Sequence, residues 1–218
     1  DDLGYAWPAG VRSIRLPGPV ACSVLPGTPY GTRLARLAPD AGKEVMLHLP
    51  MQSLDDVQPA PGMFQVDTTR TQLASRVAAD LAAIPHVIGI NNHRGSLLTR
   101  HPGHMAWLME EIAARGDLFF IDSYTTAASV ALGIARETGI PATRRDVFLD
   151  PDPEPATVQR EYDRLLALAR RHGTALAIGH PYPATLALLE KELPRLAELG
   201  IELVSPGELV RIRTSEAN

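Results

Sequence analysis

The stretch that decides the fold runs from Val87 to Ser96 and reads Val-Ile-Gly-Ile-Asn-Asn-His-Arg-Gly-Ser. Its first four residues are apolar or glycine and three of them are β-branched, a pattern that predicts a buried strand. Asn91, Asn92 and His93 follow without a spacer. In a parallel α/β sheet, ligands and reactive groups collect beyond the carboxyl ends of the strands. The stretch therefore predicts a parallel sheet with His93 at its functional edge.

Further apolar runs along the chain end in the same way. One leads into His48, one into Asp122 and Ser123, and one into Gly179 and His180. Taken alone, each of these polar residues also fits a hydrogen-bonded turn. Four apolar runs that end in His, His, Asp and His together predict one shared site.

The alternation of elements predicts the fold class. Strand and helix patterns alternate throughout, and glycine follows most helix patterns, as at Gly116, Gly139 and Gly173. This order is typical of a mostly parallel sheet with helices outside. About seven strands in one domain over residues 1–218 favour a distorted (β/α) barrel, with an open doubly wound sheet as the alternative.

Four local expectations accompany this fold. Pro50 is expected to end its strand, and residues 51–69 are expected to form a lid or an insertion. Residues 202–204 are expected to form a last strand. The opening residues 1–4 read as the polar end of a strand with no strand in front, so a first apolar strand is expected upstream of residue 1.

The composition excludes several classes of protein. The chain has 21 basic and 25 acidic residues, a net charge of −4 that gives no electrostatic footprint for nucleic acid. No apolar run is long enough to span a membrane. Cys22 is the single cysteine, so neither an intrachain disulfide nor a thiolate metal cluster can form. Any metal must be held by histidine and carboxylate. Dinucleotide, P-loop and nucleophile-elbow motifs are absent.

Six ordered motifs resemble those of the divergent polysaccharide deacetylase family of bacteria. They are Asp1-Asp2-Leu3-Gly4, His48-Leu49-Pro50-Met51, Asn91-Asn92-His93-Arg94-Gly95-Ser96, Phe119-Phe120-Ile121-Asp122-Ser123, Arg145-Asp146-Val147-Phe148-Leu149-Asp150 and Ile178-Gly179-His180-Pro181. The resemblance covers essentially the whole chain. It implies a distorted (β/α) barrel, a periplasmic or otherwise exported protein, and an N-acetylated envelope glycan as the carbohydrate substrate.

The resemblance also implies roles for single residues. In the wider superfamily, one carboxylate of an Asp-Asp pair is the catalytic base, and the next binds a divalent metal, commonly zinc, together with two histidines. On this chain Asp1 would be the base, Asp2 and His93 would be ligands, and His180 would be the general acid. Read alone, the two aspartates also fit a cap of the following turn, close to Gly4.

The histidine ligands depart from the superfamily's pattern. Its better-known enzymes carry two histidine ligands four positions apart, whereas Leu97 stands four positions after His93. We expect His48 to supply the missing ligand because it ends a neighbouring strand; the alternatives are a buried, main-chain-bonded His48, or His101 and His104 as ligands. A carboxylate with two imidazoles and an open position suits catalytic zinc. The Arg-x-Pro-Tyr substrate motif of those enzymes is also absent.

Other polar residues are expected to orient the ligands or to contact substrate. They are Asn91, Asn92, Ser96, Asp122, Arg145 and Asp146. Arg145 would bind an anionic substrate group or pair with Asp146 or Asp150. Two functions follow from the sequence. One is metal-dependent deacetylation of an envelope glycan, and the other is metal-containing carbohydrate binding or envelope organisation without turnover.

Overall fold

The computed structural model describes residues 1–55 and 62–215 and has an α/β fold. Its strands are β1 (Cys22–Val24), β2 (Val45–Met51), β3 (Val87–Arg94), β4 (Phe119–Asp122), β5 (Ala142–Arg144), β6 (Val147–Phe148) and β7 (Ala177–Ile178). Its α-helices are α1 (Trp7–Ile14), α2 (Gly31–Leu37), α3 (Arg70–Ala83), α4 (Pro102–Ala113), α5 (Ala131–Glu137), α6 (Pro155–His172), α7 (Pro183–Glu192) and α8 (Pro206–Ser215).

The strands form two parallel sheets. β1 to β5 lie side by side in chain order, and β6 pairs with β7. Within the described residues no strand pairing joins the two sheets, so the barrel is open. The prediction of a distorted (β/α) barrel with about seven mostly parallel strands is confirmed in this open form.

The two faces of the five-stranded sheet carry different kinds of side chain. Leu47, Ile90 and Phe120 are register partners on β2, β3 and β4, and all three are fully buried in the main core against the helices. Because side chains alternate along a strand, His48 and Asn91 lie on the opposite, inner face. Gly89 is required between the strands, since a Cβ there would lie 2.4 Å from the ring of Phe119.

Helix α3 shows how the sequence sets one outer helix. Thr69 and Gln72 form a capping box that satisfies free amides at its start. Leu73 and Val77, one turn apart, are buried in the core beneath it. The face of α3 that carries these two residues is therefore the face that packs on the core.

Pro50 does not end its strand, contrary to the expectation. It lies inside β2, beyond the last residue that pairs with β1, which is Leu47. On that side the carbonyl of Pro50 accepts a hydrogen bond from the Phe64 amide at 2.9 Å. A proline is tolerated there because no neighbouring strand needs the amide hydrogen that it lacks.

Other differences concern short elements. Helix α1 and strand β5 were not expected, and residues 202–204 form no strand. The predicted loop begins inside β2 and contains an isolated bridge between Met51 and Phe64. Residues 56–61 of this loop lie outside the described residues. The expectation that the loop forms a lid therefore stays a prediction. In the described part of the chain, no helix combines the length and apolarity needed to cross a membrane.

Candidate metal centre and active site

The register of two neighbouring strands brings two histidines together. His48 on β2 lies opposite Asn91 on β3, and Pro50 lies opposite His93. Alternation along each strand then places His48, Asn91 and His93 on the same face. The Nε2 atom of His48 and the Nδ1 atom of His93 are 3.3 Å apart.

The opening residues bring a carboxylate to these histidines. Leu3 forms a parallel bridge with Val24, and its amide donates to the Ser23 carbonyl at 3.1 Å. Asp2, next to it, has a φ of 57°, a left-handed conformation that Asp tolerates better than most residues. Its Oδ1 atom lies 3.0 Å from His48 Nε2 and 2.8 Å from His93 Nδ1.

These three side chains fit a divalent metal. The separations of 2.8, 3.0 and 3.3 Å between their donor atoms are near the edge of about 3.3 Å that bonds of about 2.0–2.1 Å to tetrahedral zinc would give. Among the described residues, Asp2 Oδ1 is buried without a hydrogen-bond partner. Asp2, His48 and His93 are therefore a possible metal-binding triad, as the sequence predicted.

The protonation of the triad also suits a metal. Burial lowers the pKa of His48, which favours the neutral ring that a metal ligand requires. His48 Nδ1 lies 2.9 Å from the side-chain oxygen of Asn91, which can only accept a hydrogen bond. Nδ1 therefore carries the proton of the neutral ring, and the lone pair of Nε2 points towards Asp2. Burial alone would raise the pKa of the Asp2 carboxyl, but a proton on the facing nitrogen of His48 or His93, in the place that a metal cation would take, lowers this pKa below its usual range.

Asp1 lies beside the triad but outside it. Its Oδ1 atom accepts a hydrogen bond from the Asn91 side-chain amide at 3.0 Å, and its Oδ2 atom is 3.9 Å from His48 Nε2. Its side chain is only 6% exposed. Asn91 therefore holds both His48 and Asp1, and its oxygen also accepts a short hydrogen bond from the Ser23 hydroxyl.

His180 faces the triad from the second sheet. Its Nε2 atom lies 3.6 Å from Asp2 Oδ2, and its Nδ1 atom lies 2.9 Å from Asp150 Oδ1. The other Asp150 oxygen accepts from the His180 amide at 2.7 Å and from the Thr185 hydroxyl at 2.6 Å. Burial alone would raise the pKa of Asp150, but the hydrogen bonds from His180 and Thr185 outweigh it and lower this pKa.

Two expected neighbours of the ligands point to the other face of the sheet. Asn92 lies between Asn91 and His93 in the strand, and it bonds the Ser123 amide at 2.8 Å and the Arg94 carbonyl at 2.7 Å. Asp122 bonds the Ser129 hydroxyl at 2.7 Å, and burial raises the pKa of its carboxyl. Both side chains therefore bond to the loops that follow β3 and β4, and neither orients the candidate ligands directly.

Ser96 and Asp146 also have other partners. The Ser96 hydroxyl accepts from the Leu54 amide at 3.0 Å. Asp146 stands at the start of β6, away from the carboxyl end, and pairs with Arg213 of α8 at 2.6 Å. Neither side chain orients the candidate ligands directly.

Arg145 makes neither of the two expected ion pairs. Within residues 1–55 and 62–215 it has no carboxylate partner, and it donates to the carbonyls of Ser123 and Tyr124 at 2.6 and 2.9 Å. Its guanidinium lies over the ring of Phe148, 5.2 Å from the centroid, and that ring contacts His180. Recognition of an anionic substrate group by Arg145 stays a prediction.

The alternative histidine pair lies elsewhere. His104 Nε2 is 3.1 Å from the Thr68 carbonyl, and its ring packs on His101 and Trp107. These contacts make it part of the packing of α4.

The sequence did not predict that three residues would support the site through hydrogen bonds: Ser23, Asp150 and Thr185. Asp150 carried a usable signal, because it follows the apolar run 147–149 at its carboxyl end, as His48 and His93 follow theirs. Ser23 and Thr185 are small polar residues that give no such signal.

Comparison with known proteins identifies the family of the chain. The profile of the family "Divergent polysaccharide deacetylase" matches residues 1–210. An uncharacterized protein of Haemophilus influenzae is 36% identical over 97% of this chain and 75% of its own length. The uncharacterized protein YibQ of Escherichia coli is 32% identical over 88% of this chain, which spans 60% of YibQ.

A solved structure has the same fold. The crystal structure of the uncharacterized protein ATU2773 from Agrobacterium tumefaciens C58 matches 95% of this chain and 85% of its own with a TM-score of 0.90, at 25% sequence identity. Together with the match over residues 1–210, this establishes that the chain belongs to the divergent polysaccharide deacetylase family.

Proposed function

We propose that the protein is a metal-dependent hydrolase that removes the acetyl group from an N-acetylated envelope polysaccharide or oligosaccharide. One observation carries the proposal: the Asp2 carboxylate lies within 3.6 Å of three imidazoles, those of His48, His93 and His180, which come from both sheets. Family membership supports a carbohydrate substrate, and such a glycan would place the protein in the periplasm or otherwise outside the cytoplasm.

The triad of Asp2, His48 and His93 would hold the metal. Two neutral nitrogens and one carboxylate oxygen suit zinc, and they leave an open position. A bound zinc ion supplies Lewis acidity, which lowers the pKa of water towards about 7 and polarises a carbonyl oxygen. The burial of His48 and its bond to Asn91 keep the ligand nitrogen aimed at this point.

Asp1 and His180 would move the two protons of the reaction. Asp1 accepts the proton of the attacking water while the oxygen of that water bonds to the acetyl carbon. His180 donates a proton to the amide nitrogen as the carbon–nitrogen bond breaks, and acetate and a free amine result. Asn91 fixes the Asp1 carboxylate, and Asp150 fixes the His180 ring with Nε2 towards Asp2.

Release of acetate from N-acetylated oligosaccharides tests the proposal. We expect release by the metal-loaded protein, loss of release with a chelator, and recovery on adding zinc. His172→Ala is the control variant, because His172 ends α6 on the exposed surface, and it should leave the rate unchanged. Absence of release across neutral and anionic N-acetylated glycans would favour the second function, carbohydrate binding without turnover.

A further inference from the structure

The proposed reaction fixes the side of the site on which the sugar must lie. His180 donates its proton to the amide nitrogen, and that nitrogen stays on the sugar when the acetyl group leaves. The sugar that carries the acetamide therefore lies beside the His180 ring, with its acetyl group towards Asp2. The side chains around His180 at the mouth of the site, where the carboxyl ends of the strands meet, are then the ones that contact the glycan.

Two aromatic rings flank His180. The ring centroids of Phe148 and Tyr182 each lie 5.4 Å from that of His180. Phe148 is half-buried, whereas Tyr182, which directly precedes α7, is 41% exposed. An exposed aromatic ring next to a polar site offers a flat apolar surface with a polar tip, on which the apolar face of a sugar ring can pack.

The guanidinium group of Arg145 lies on the other side of Phe148. It is 5.2 Å from the centroid of that ring. Its Nε and Nη2 atoms donate to the carbonyls of Ser123 and Tyr124, which fixes the plane of the group. Within residues 1–55 and 62–215 its Nη1 atom makes no hydrogen bond. This nitrogen therefore remains available to donate to a ligand, and a carboxylate is the acceptor that a guanidinium group binds most strongly.

Arg144 adds a second guanidinium group at the same place. It ends β5 with its residue exposed, and it lies opposite Asp122 of β4. Its guanidinium group is 4.4 Å from the centroid of the Tyr124 ring. Arg144 thus contacts the ring of Tyr124 and Arg145 contacts its carbonyl. In the described part of the chain neither arginine forms an ion pair with a carboxylate.

Two carboxylates lie near these guanidinium groups, but both have other partners. Asp122 is only 1% exposed, and it accepts hydrogen bonds from the Ser129 hydroxyl and the Tyr124 amide. Asp146 pairs with Arg213 at 2.6 Å. The two unpaired guanidinium groups therefore give this side of the mouth a positive potential, which favours an anionic ligand.

We propose that the glycan is acidic: its acetylated sugar packs on Tyr182, and a carboxylate on that sugar or on the next one binds Arg144 and Arg145. The placement of the acetylated sugar rests on the proposed function. The positive charge of the site does not depend on it. One aromatic ring, Phe148, separates Arg145 from His180, so one or two bound sugars span both groups.

Calorimetric binding of three tetrasaccharides tests the proposal, with a chelator present so that no metal-dependent turnover occurs. The first contains only N-acetylglucosamine. The second alternates N-acetylglucosamine with glucuronate, and the third alternates N-acetylglucosamine with N-acetylmuramate, so the carboxylate is on the neighbouring sugar or on an acetylated sugar. We expect at least one acidic tetrasaccharide to bind about 10- to 100-fold more tightly than the neutral one. The tighter of the two identifies the sugar that carries the carboxylate.

Three kinds of variant separate the contacts. Arg144→Gln, which breaks no main-chain contact, should weaken the binding of the acidic tetrasaccharide about tenfold and leave the neutral one unchanged. Arg171→Gln is the matched control, because it removes the same charge from the exposed end of α6 that lies away from the mouth. Tyr182→Ala should weaken all three tetrasaccharides about three- to tenfold, and Tyr182→Phe should not.

Equal binding of acidic and neutral tetrasaccharides, no binding of any of them, or equal effects of Arg144→Gln and Arg171→Gln would overturn the proposal. Unchanged binding by Tyr182→Ala would overturn it as well. Acetate release by the metal-loaded protein tests the proposed function separately. A preference for acidic glycans without release would contradict the hydrolase and support the acidic site, whereas release without a preference would contradict the acidic site alone.

Discussion

His48 and His180 approach the same carboxylate from two sheets, yet their surroundings differ. His48 is 2% exposed, and its two ring nitrogens face Asn91 at 2.9 Å and Asp2 at 3.0 Å. His180 has a side chain that is 17% exposed, with one nitrogen held by Asp150 and the other 3.6 Å from Asp2. A buried ring with both nitrogens engaged suits metal binding, and a ring with one nitrogen at an open mouth suits proton transfer.

Exchange of each histidine for glutamine should separate these two roles. We expect these two variants to change metal content and turnover more than any other variant proposed below. We expect His48→Gln to lose both metal and turnover. His180→Gln should keep the metal and lower kcat about 100- to 10,000-fold, because it removes the general acid alone. Metal content by mass spectrometry and acetate release, measured on both variants, check this. Equal metal loss in the two variants would erase the distinction between the two histidines.

Asp150→Asn sharpens the comparison on the His180 side. Asp150 is a positioning residue, since it touches His180 and Thr185 beneath the mouth. We expect kcat to fall about 10- to 100-fold with an unchanged KM and unchanged metal content. The acidic and basic limbs of the pH profile of kcat should shift in the variant. A changed KM with a superimposable pH profile would instead indicate general structural damage.

Asn91→Ala tests the corresponding support on the His48 side. The substitution removes the acceptor for His48 Nδ1, and we expect metal affinity to fall about 10- to 100-fold. Asn92→Ala is the matched control, because that side chain bonds main-chain groups on the opposite face and should lower stability without changing affinity. Competition with a zinc chelator measures both. Equal affinities in the two variants would remove Asn91 from the support of the ligand.

The smallest expected effect concerns stability and pH. The lowered pKa of Asp150 means that its charged form stabilises the fold above its unfolded-state pKa of about 4, and that this contribution is lost as pH falls through the folded-state value. Asp150→Asn should therefore lower the free energy of unfolding by about 1–2 kcal/mol at pH 7 and by less at pH 3. Urea unfolding at both pH values measures the difference, and a difference independent of pH would contradict it.

The meeting of His48 and His93 could be predicted from sequence because strand-end positions are visible there. His48 and His93 end consecutive apolar runs, and consecutive parallel strands in this sheet are neighbours, so the two rings meet. The family resemblance added Asp2. The register that brings Pro50 opposite His93 was not needed for the prediction, although it explains the 3.3 Å approach of the two rings.

The surroundings of the ligands were harder to predict because the direction of each side chain matters. Asn92 follows Asn91 by one residue and so points to the opposite face. Asp146 precedes its apolar run and Asp150 follows it, which sends them to opposite ends of β6 and explains why Asp150, and not Asp146, meets His180. Alternation and strand direction are both readable in sequence once the strand limits are known. The hydroxyls of Ser23 and Thr185 depend on tertiary packing.

The anomalous-scattering map of crystals grown with zinc tests the central claim most directly. The account predicts one strong peak per chain, at about 2.0–2.2 Å from Asp2 Oδ1, His48 Nε2 and His93 Nδ1. A zinc peak bound to other side chains, or none at these three atoms in zinc-saturated protein, would contradict it.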